Sequence, residues 1–302
     1  MAGGSRGYTS GAANPRAWVL RAGRIIHSIR EHLMTSIPPL SAASATPALA
    51  VPVPRVGAPY LSVIVPVWNG ADRLARTLYS LRHLLDAQPF CTELIVVDDC
   101  SGPDAARTLR AINREMPVTV IRNASNRGKG FSVARGMLAA QGEVRVFTDA
   151  DLAYPADEIE AMVDAIERGN DVAIACRVLP ESRYLMSPTF FSYLFTRHVM
   201  SRAFNAAVRA LLVDDVLDTQ AGLKGFSRRA AELIFPRLTI PRFGFDVESL
   251  YIAQRHGLRL AQVPVTFRYE DEPSSVNLAR DGARMLTDLA RIRVNAWRHR
   301  YD

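Results

Sequence analysis

Five short apolar runs alternate with helical patterns through the middle of the chain, and this alternation constrains the fold more than any other feature. Leu61–Val67, Glu93–Val97, Val118–Arg122, the stretch opening at Val144 and Asp171–Cys176 each read as a buried strand. Between them Leu74, Leu78, Leu81 and Leu85 recur at helical spacing, and Asp104–Arg114, Phe131–Ala140 and Pro155–Glu167 suit helices. Strands and helices in turn at this spacing predict βαβ units, hence an α/β fold with a mainly parallel sheet covered on both faces. A further helix is expected over Val247–His256.

The residues at the strand ends are as informative as the strands. Val144-Arg145-Val146-Phe147-Thr148-Asp149-Ala150-Asp151-Leu152 runs from apolar residues into two carboxylates spaced i, i+2. Such a pair repels and raises its own pKa values unless a cation sits between. A hard divalent ion bridging to a diphosphate provides that relief. Asn69, Asp98, Asp99 and the loop Gly128-Lys129-Gly130 also lie just past strand ends. In a parallel sheet the carboxyl ends share one edge, where open α/β sheets bind ligands. Asp98 could accept from a base or ribose, and the glycine-flanked Lys129 opens a helix whose N–H groups could face phosphate. Together they describe a nucleotide-diphosphate site with a metal.

The flanks are different. Of the net charge of +7, +5 lies in residues 1–57, where six arginines face one acid, Glu31. Residues 1–15 are rich in Gly, Ser and Ala. Over 16–34 a basic helical stripe appears, with Trp18, Ile25, Ile26, Ile29 and Leu33 on one face, and Pro38–Pro59 reads as a linker. This predicts a basic extension over 1–57 ahead of a folded domain over 58–302. No apolar h-region with a cleavage site is read, and no run approaches the ~18 residues of a membrane span. Three scattered cysteines, Cys91, Cys100 and Cys176, fit a reducing compartment. The arginines lack the interleaved aromatics of a nucleic-acid surface, so a membrane surface is the expected partner and a cytoplasmic, peripherally bound protein the expectation.

The ordered motifs Ser62-Val63-Ile64-Val65-Pro66-Val67-Trp68-Asn69, Val97-Asp98-Asp99-Cys100-Ser101, Asn126-Arg127-Gly128-Lys129-Gly130 and Asp149-Ala150-Asp151-Leu152 resemble the inverting GT-A glycosyltransferases of family 2. Arg177, Asp218-Thr219-Gln220-Ala221-Gly222-Leu223-Lys224, Phe243-Gly244-Phe245-Asp246-Val247-Glu248 and Met285–Leu289 narrow the likeness to the dolichyl-phosphate β-glucosyltransferase branch, over about 61–302. The resemblance implies a Rossmann-like three-layer α/β/α sandwich with amphipathic interfacial helices. It also implies inverting transfer of a sugar, foremost glucose from UDP-glucose, onto a polyprenyl phosphate. By position, Pro66, Asn69 and Asp98 would line the nucleoside pocket and Lys129 would lie by the nucleotide. Asp149 and Asp151 would hold Mg²⁺ or Mn²⁺ on the diphosphate. Arg177 and Arg197 are expected to receive the acceptor phosphate, since guanidinium matches phosphate with a two-pronged fork. Three positions depart from the family pattern: Gly70 stands where Glu is usual, Pro273-Ser274-Ser275 replaces a lysine-bearing loop, and Ala153 cannot ligate a metal.

Some readings stay open. Asp246 and Glu248 at a helix start serve either as caps or in acceptor positioning, with Asp246 the general base if the acceptor is a hydroxyl. Asp218 is placed similarly. Ser187–Val213 is aromatic-rich yet carries Arg197, Arg202 and Arg209, which suits a helix lying at a membrane interface. Beside lipid-phosphate transfer stand two alternatives, transfer to a hydroxyl on a polysaccharide or small molecule, and an inactive sugar-nucleotide-binding scaffold.

Overall fold

The computed structural model of the chain describes residues 57–185, 202, 204–268 and 278–302. Its centre is a seven-stranded sheet. In chain order the strands are β1 (Leu61–Val67), β2 (Thr92–Asp98), β3 (Thr119–Arg122), β4 (Val144–Phe147), β5 (Val172–Cys176), β7 (Lys224–Ser227) and β8 (Leu260–Pro264), arranged 3-2-1-4-7-5-8. A separate parallel pair joins β6 (Arg183–Leu185) to β9 (Thr266–Arg268).

All five expected strands are present, and they are parallel. The departure is β7, which the alternation of patterns did not announce. It wedges between β4 and β5 and runs antiparallel to both, with Phe147 opposite Lys224 and Ile174 opposite the same lysine. The strand opening at Val144 stops at Phe147, just short of the carboxylate pair, as expected for a strand that runs out into it. Thr148 N still donates to Ile64 O at 3.0 Å, after which the chain turns away with Leu152 at φ 53°. The helix expected from Pro155 starts at Glu158, because Pro155–Asp157 form a turn closed by Glu158 N to Pro155 O at 3.1 Å.

Helices cover both faces. α1 (Ala71–Asp86), α2 (Pro103–Glu115) and α4 (Glu158–Glu167) share one face, where Gln88 just past α1 donates to Glu160 at 3.0 Å. α3 (Lys129–Ala139), α5 (Arg228–Ile234) and α6 (Phe245–Arg255) share the other, and α7 (Leu278–Trp297) lies at the end of the chain. The strand pleat assigns these faces. Ile64 and Phe147 point toward α3 and α6, whereas Gly225 and Ala173 point toward Met162 of α4. Phe147, Phe226, Phe235 and Phe245 form an aromatic spine under α5 and α6, with centroids 5.1–6.2 Å apart. Among the described residues no helix is long and apolar enough to cross a membrane.

Residues 1–56 and 186–201, which hold the expected basic helix, most of the Ser187–Val213 segment and Arg197, lie outside the described residues. Of that segment, 204–211 is helical, with Val208 buried and Leu211 exposed.

Gly136 decides how closely α3 lies on the sheet. A Cβ there would stand 2.5 Å from Ile64 Cγ2 and 3.0 Å from Val97 Cγ2. Gly136→Ala is therefore expected to lower unfolding free energy by about 1–3 kcal/mol through overpacking. A urea midpoint equal to wild type would show that α3 has room that the structure denies it.

Candidate active site

The loop ends at the carboxyl rim form three knots of charge. The first joins β1 to β2. Asn69 adopts left-handed backbone at φ 60°, donates its N–H to Ser101 Oγ at 2.8 Å and accepts Gly102 N on Oδ1 at 2.9 Å. Asp98 is buried, accepts Ser101 N at 2.8 Å and is ion-paired with Arg122, whose Nη2 also reaches Ser101 O. Pro66 is half-buried beside them, opposite Val97. Asp99 does different work. Its carboxylate accepts Arg127 N and Gly128 N at 2.8 and 2.7 Å and Asn123 Nδ2 at 2.7 Å, tying the loop before α3 to β2.

This alters the reading of Gly128-Lys129-Gly130. The Gly128 N–H belongs to Asp99 rather than to a phosphate. The glycines are there for close approach: a Cβ on Gly128 (φ 101°) would meet Pro241 O at 2.6 Å, and one on Gly130 would meet Phe245 Cβ at 2.6 Å. Lys129 is left as the member of this motif that faces the rim.

The second knot is Lys129, Asp149 and Asp151. Lys129 Nζ lies 2.6 Å from Asp149 Oδ1. Burial works against the ammonium, but Asp149, with Asp246 and Asp151 behind it, outweighs this and raises its pKa. Asp151 opens to solvent at the rim and accepts Ala153 N at 3.0 Å; its crowded recess and then the charge of Asp149 raise its carboxyl. Gly222 fixes Asp149 from below, since any Cβ there would sit 1.9 Å from Asp149 Oδ2. Among the described residues no group of three or more His, Cys, Asp or Glu could hold a metal. A pair of carboxylates is nevertheless what Mg²⁺ or Mn²⁺ needs when diphosphate oxygens and water complete its shell, and the repulsion raising Asp151 is what such an ion relieves. The donor set fits.

Behind this pair lies Asp246. It is not a cap. Gly244 occupies the N-cap without any side-chain bond, and Asp246 in the first turn of α6 is buried and ion-paired with Lys224, whose Nζ also donates to Ala221 O at 2.7 Å. Burial pushes Lys224 down and Asp246 up, each against the partner's charge. Glu248 proves structural: it accepts Thr239 N at 3.0 Å, Thr239 Oγ1 at 2.6 Å, Ile240 N at 2.8 Å and Tyr301 Oη at 2.7 Å.

The third knot closes β5. Arg177 forks onto Asp218, Nε to Oδ2 at 2.7 Å and Nη2 to Oδ1 at 2.9 Å, while its backbone N–H adds a third bond at 3.1 Å. The guanidinium stacks over Phe267, 5.3 Å from the centroid. Tyr154 packs edge-on against the same ring at 5.2 Å, near enough to Arg177, Asp218 and Asp149 to feel all three charges. The Gly222 amide lies close to its oxygen, yet no group in the described residues makes a well-formed hydrogen bond to this buried hydroxyl. Sequence reasoning had Asp99 among the rim residues but not as the tie for the loop before α3, and it passed over Tyr154, Gly222 and Lys224 as site builders. Only the run Gln220–Lys224 carried a signal, as part of a motif whose structural reason was unread.

Asp218 gives a titratable check. Burial opposes its charge, but Arg177 outweighs burial and holds the carboxyl below its ordinary value. A depressed folded-state pKa means stability that is present above the unfolded carboxylate range and lost as pH falls through the folded value. Asp218→Asn should therefore cost about 2–3 kcal/mol at neutral pH, by leaving Arg177 without its anion. The gap to wild type should shrink as pH drops below about 4. A gap constant from neutral to acid pH would remove the ion pair from the account.

The sequence model of the family described as "Glycosyl transferase family 2" matches residues 62–234. The dolichyl-phosphate beta-glucosyltransferase of Dictyostelium discoideum is 33% identical over 245 residues, covering 78% of this chain and 74% of that protein. The human dolichyl-phosphate beta-glucosyltransferase is 31% identical over 256 residues, covering 79% and 77%. Among solved structures, glucosyl-3-phosphoglycerate synthase from Mycobacterium tuberculosis, in complex with Mn²⁺, UDP-glucose and phosphoglyceric acid, superposes with a TM-score of 0.58 at 20% identity, over 78% of this chain and 80% of that one. At that identity the likeness establishes the fold, the GT-A arrangement expected from the motifs. With a family match over more than half its length, and with these relatives, the chain belongs to glycosyl transferase family 2 and is a glycosyltransferase.

Proposed function

We propose that this glycosyltransferase moves glucose from UDP-glucose onto a polyprenyl phosphate of the dolichyl type, with inversion, at a membrane surface. The observation that carries the reading is the placing of Lys129, Asp149 and Asp151 at the same rim as the Arg177–Asp218 fork. That arrangement offers cation-mediated binding of a diphosphate beside a fixed guanidinium. The naming of the relatives as dolichyl-phosphate beta-glucosyltransferases supports the acceptor and the sugar. The superposed synthase, crystallised with Mn²⁺ and UDP-glucose, supports the donor and the ion.

Each residue then has a part. Asn69, Asp98 and Pro66 shape the nucleoside end, Asp98 from beneath, by fixing Arg122 and the Ser101 turn. Asp149 and Asp151 would hold Mg²⁺ or Mn²⁺ against the diphosphate. A divalent ion bound there offsets the negative charge growing on the departing UDP. Lys129, which lies 2.6 Å from Asp149 in the free protein, would offer its ammonium to the phosphates. Arg177, stiffened by Asp218 and Phe267, orients the acceptor phosphate; Arg197 is proposed to join it on sequence grounds alone. A phosphate nucleophile is already anionic and has little use for a general base. Asp246 agrees with that, because its carboxylate is buried on Lys224 and not offered to an acceptor. Its part is to hold Lys224 and the charge behind Lys129. The basic segment 1–57 and the 187–213 stretch are proposed as membrane contacts of a peripheral, cytoplasmic-side enzyme.

Incubation with radiolabelled UDP-glucose, Mn²⁺ and a polyprenyl phosphate, followed by organic extraction, should place label in an acid-labile lipid. Label confined to water-soluble product would favour the hydroxyl acceptor instead. Asp151→Asn should lower this transfer by on the order of 10²-fold or more while leaving the melting temperature near wild type. Undiminished transfer, or transfer that survives excess chelator, would refute the metal role.

A further inference from the structure

The outward face of α7 carries an apolar stripe that nothing in the described residues covers. Leu289, Ile292, Asn295 and Ala296 turn inward and are buried. Leu286, Val294 and Trp297 turn outward, with Trp297 81% exposed and Leu286 57%. At 100° per residue, Leu286, Ala290, Val294 and Trp297 fall within one quadrant of the helix. Arg293 lies at one edge of that quadrant, Arg291 and Arg298 lie past the other, and Arg284 and Arg300 stand exposed at its two ends. Over 284–302 the exposed acid is Asp302, which already pairs with Arg255 and His299. An apolar stripe with a terminal Trp and arginines along its border is what an anionic bilayer interface matches: the apolar side chains enter the acyl boundary and the guanidinium groups reach the headgroups. A polar protein partner would match the arginines but not the stripe.

Position adds the second argument. Gln220 Nε2 contacts Met285 Sδ at 3.8 Å, and Gly244 lies so close to Asp288 that a Cβ there would come within 2.5 Å of Oδ2. Gln220 is two residues from Gly222, which fixes Asp149, and Gly244 is two residues from Asp246. The stripe therefore begins, at Leu286, beside the catalytic rim.

We propose that the Leu286–Val294–Trp297 face of α7 is a docking surface for an anionic lipid bilayer, holding the rim next to the membrane. This deepens the proposed function and rests on its lipid acceptor for purpose, though not for its test. Emission of the full chain minus that of the full-chain Trp297→Phe variant isolates Trp297. On vesicles of equal parts phosphatidylcholine and phosphatidylglycerol that difference spectrum should shift to shorter wavelength, and less so on phosphatidylcholine alone. The full-chain triple variant Leu286→Ser, Val294→Ser, Trp297→Ser should sediment with the mixed vesicles about tenfold less well, with melting temperature unchanged because all three side chains are outside the core. An unmoved Trp297 spectrum overturns the proposal. So does a triple variant that sediments like wild type, or one that loses only self-association, which would make a second copy the occupant. If label enters lipid while Trp297 does not respond, the surface fails alone. If Trp297 responds but no lipid is labelled, the surface stands and the acceptor reading fails.

Discussion

The antiparallel strand β7 is the constraint on which the rest depends. It enters between β4 and β5 in a register that sets Lys224 opposite Phe147, and it brings Gly222, just before it, under Asp149. A fully buried ammonium is costly, and Lys224 has two partners, Asp246 and the carbonyl of Ala221. The pair is therefore poor evidence of stability gained. What it secures is position: α6 cannot slide on the sheet without parting Asp246 from Lys224. Both lysines lie against Phe147, with Lys224 Nζ 5.5 Å and Lys129 Nζ 5.8 Å from its centroid. A chain of charge thus leads up to the rim, from buried Lys224 through Asp246 and Lys129 to Asp149 and Asp151.

Two kinds of acid emerge from that row. Asp99 and Glu248 are saturated by backbone N–H groups and hydroxyls, and they hold the loops at 123–128 and 239–240 in place. Asp149 and Asp151 reach solvent, and Asp151 is raised by its recessed position and then by the charge of Asp149. Saturated carboxylates build the scaffold, and the two left open at the rim are the ones the proposed function uses. The same division separates Glu248 from Asp246, which a sequence alone presents as equivalent acids at a helix start.

Much of this was legible in the chain. The five parallel strands emerged from apolar runs at βαβ spacing, and the convergence of Asp98, Lys129, Asp149 and Asp151 from strand ends sharing an edge. β7 was hidden because Lys224-Gly225-Phe226-Ser227 is four residues long, with a lysine and a glycine in it, and looks like no strand. Its identity rests on long-range pairing and on Asp246 lying 22 residues away. The glycines at 128 and 130 were read as a phosphate cradle, whereas Pro241 and Phe245 press against them. Nothing local in sequence announces such a neighbour. Tyr154 was similarly mute, since only burial makes its hydroxyl notable.

In the proposed function Asp149, held by Lys129 in the free protein, would be a ligand of a cation carrying the donor diphosphate. Calorimetric titration of UDP into the wild-type chain with Mn²⁺, with excess chelator, and into Asp149→Asn with Mn²⁺ tests it most directly. The account predicts tight binding in the first case and at least about tenfold weaker binding in the other two, a loss of about 1.4 kcal/mol or more. Equal affinity in all three would contradict it.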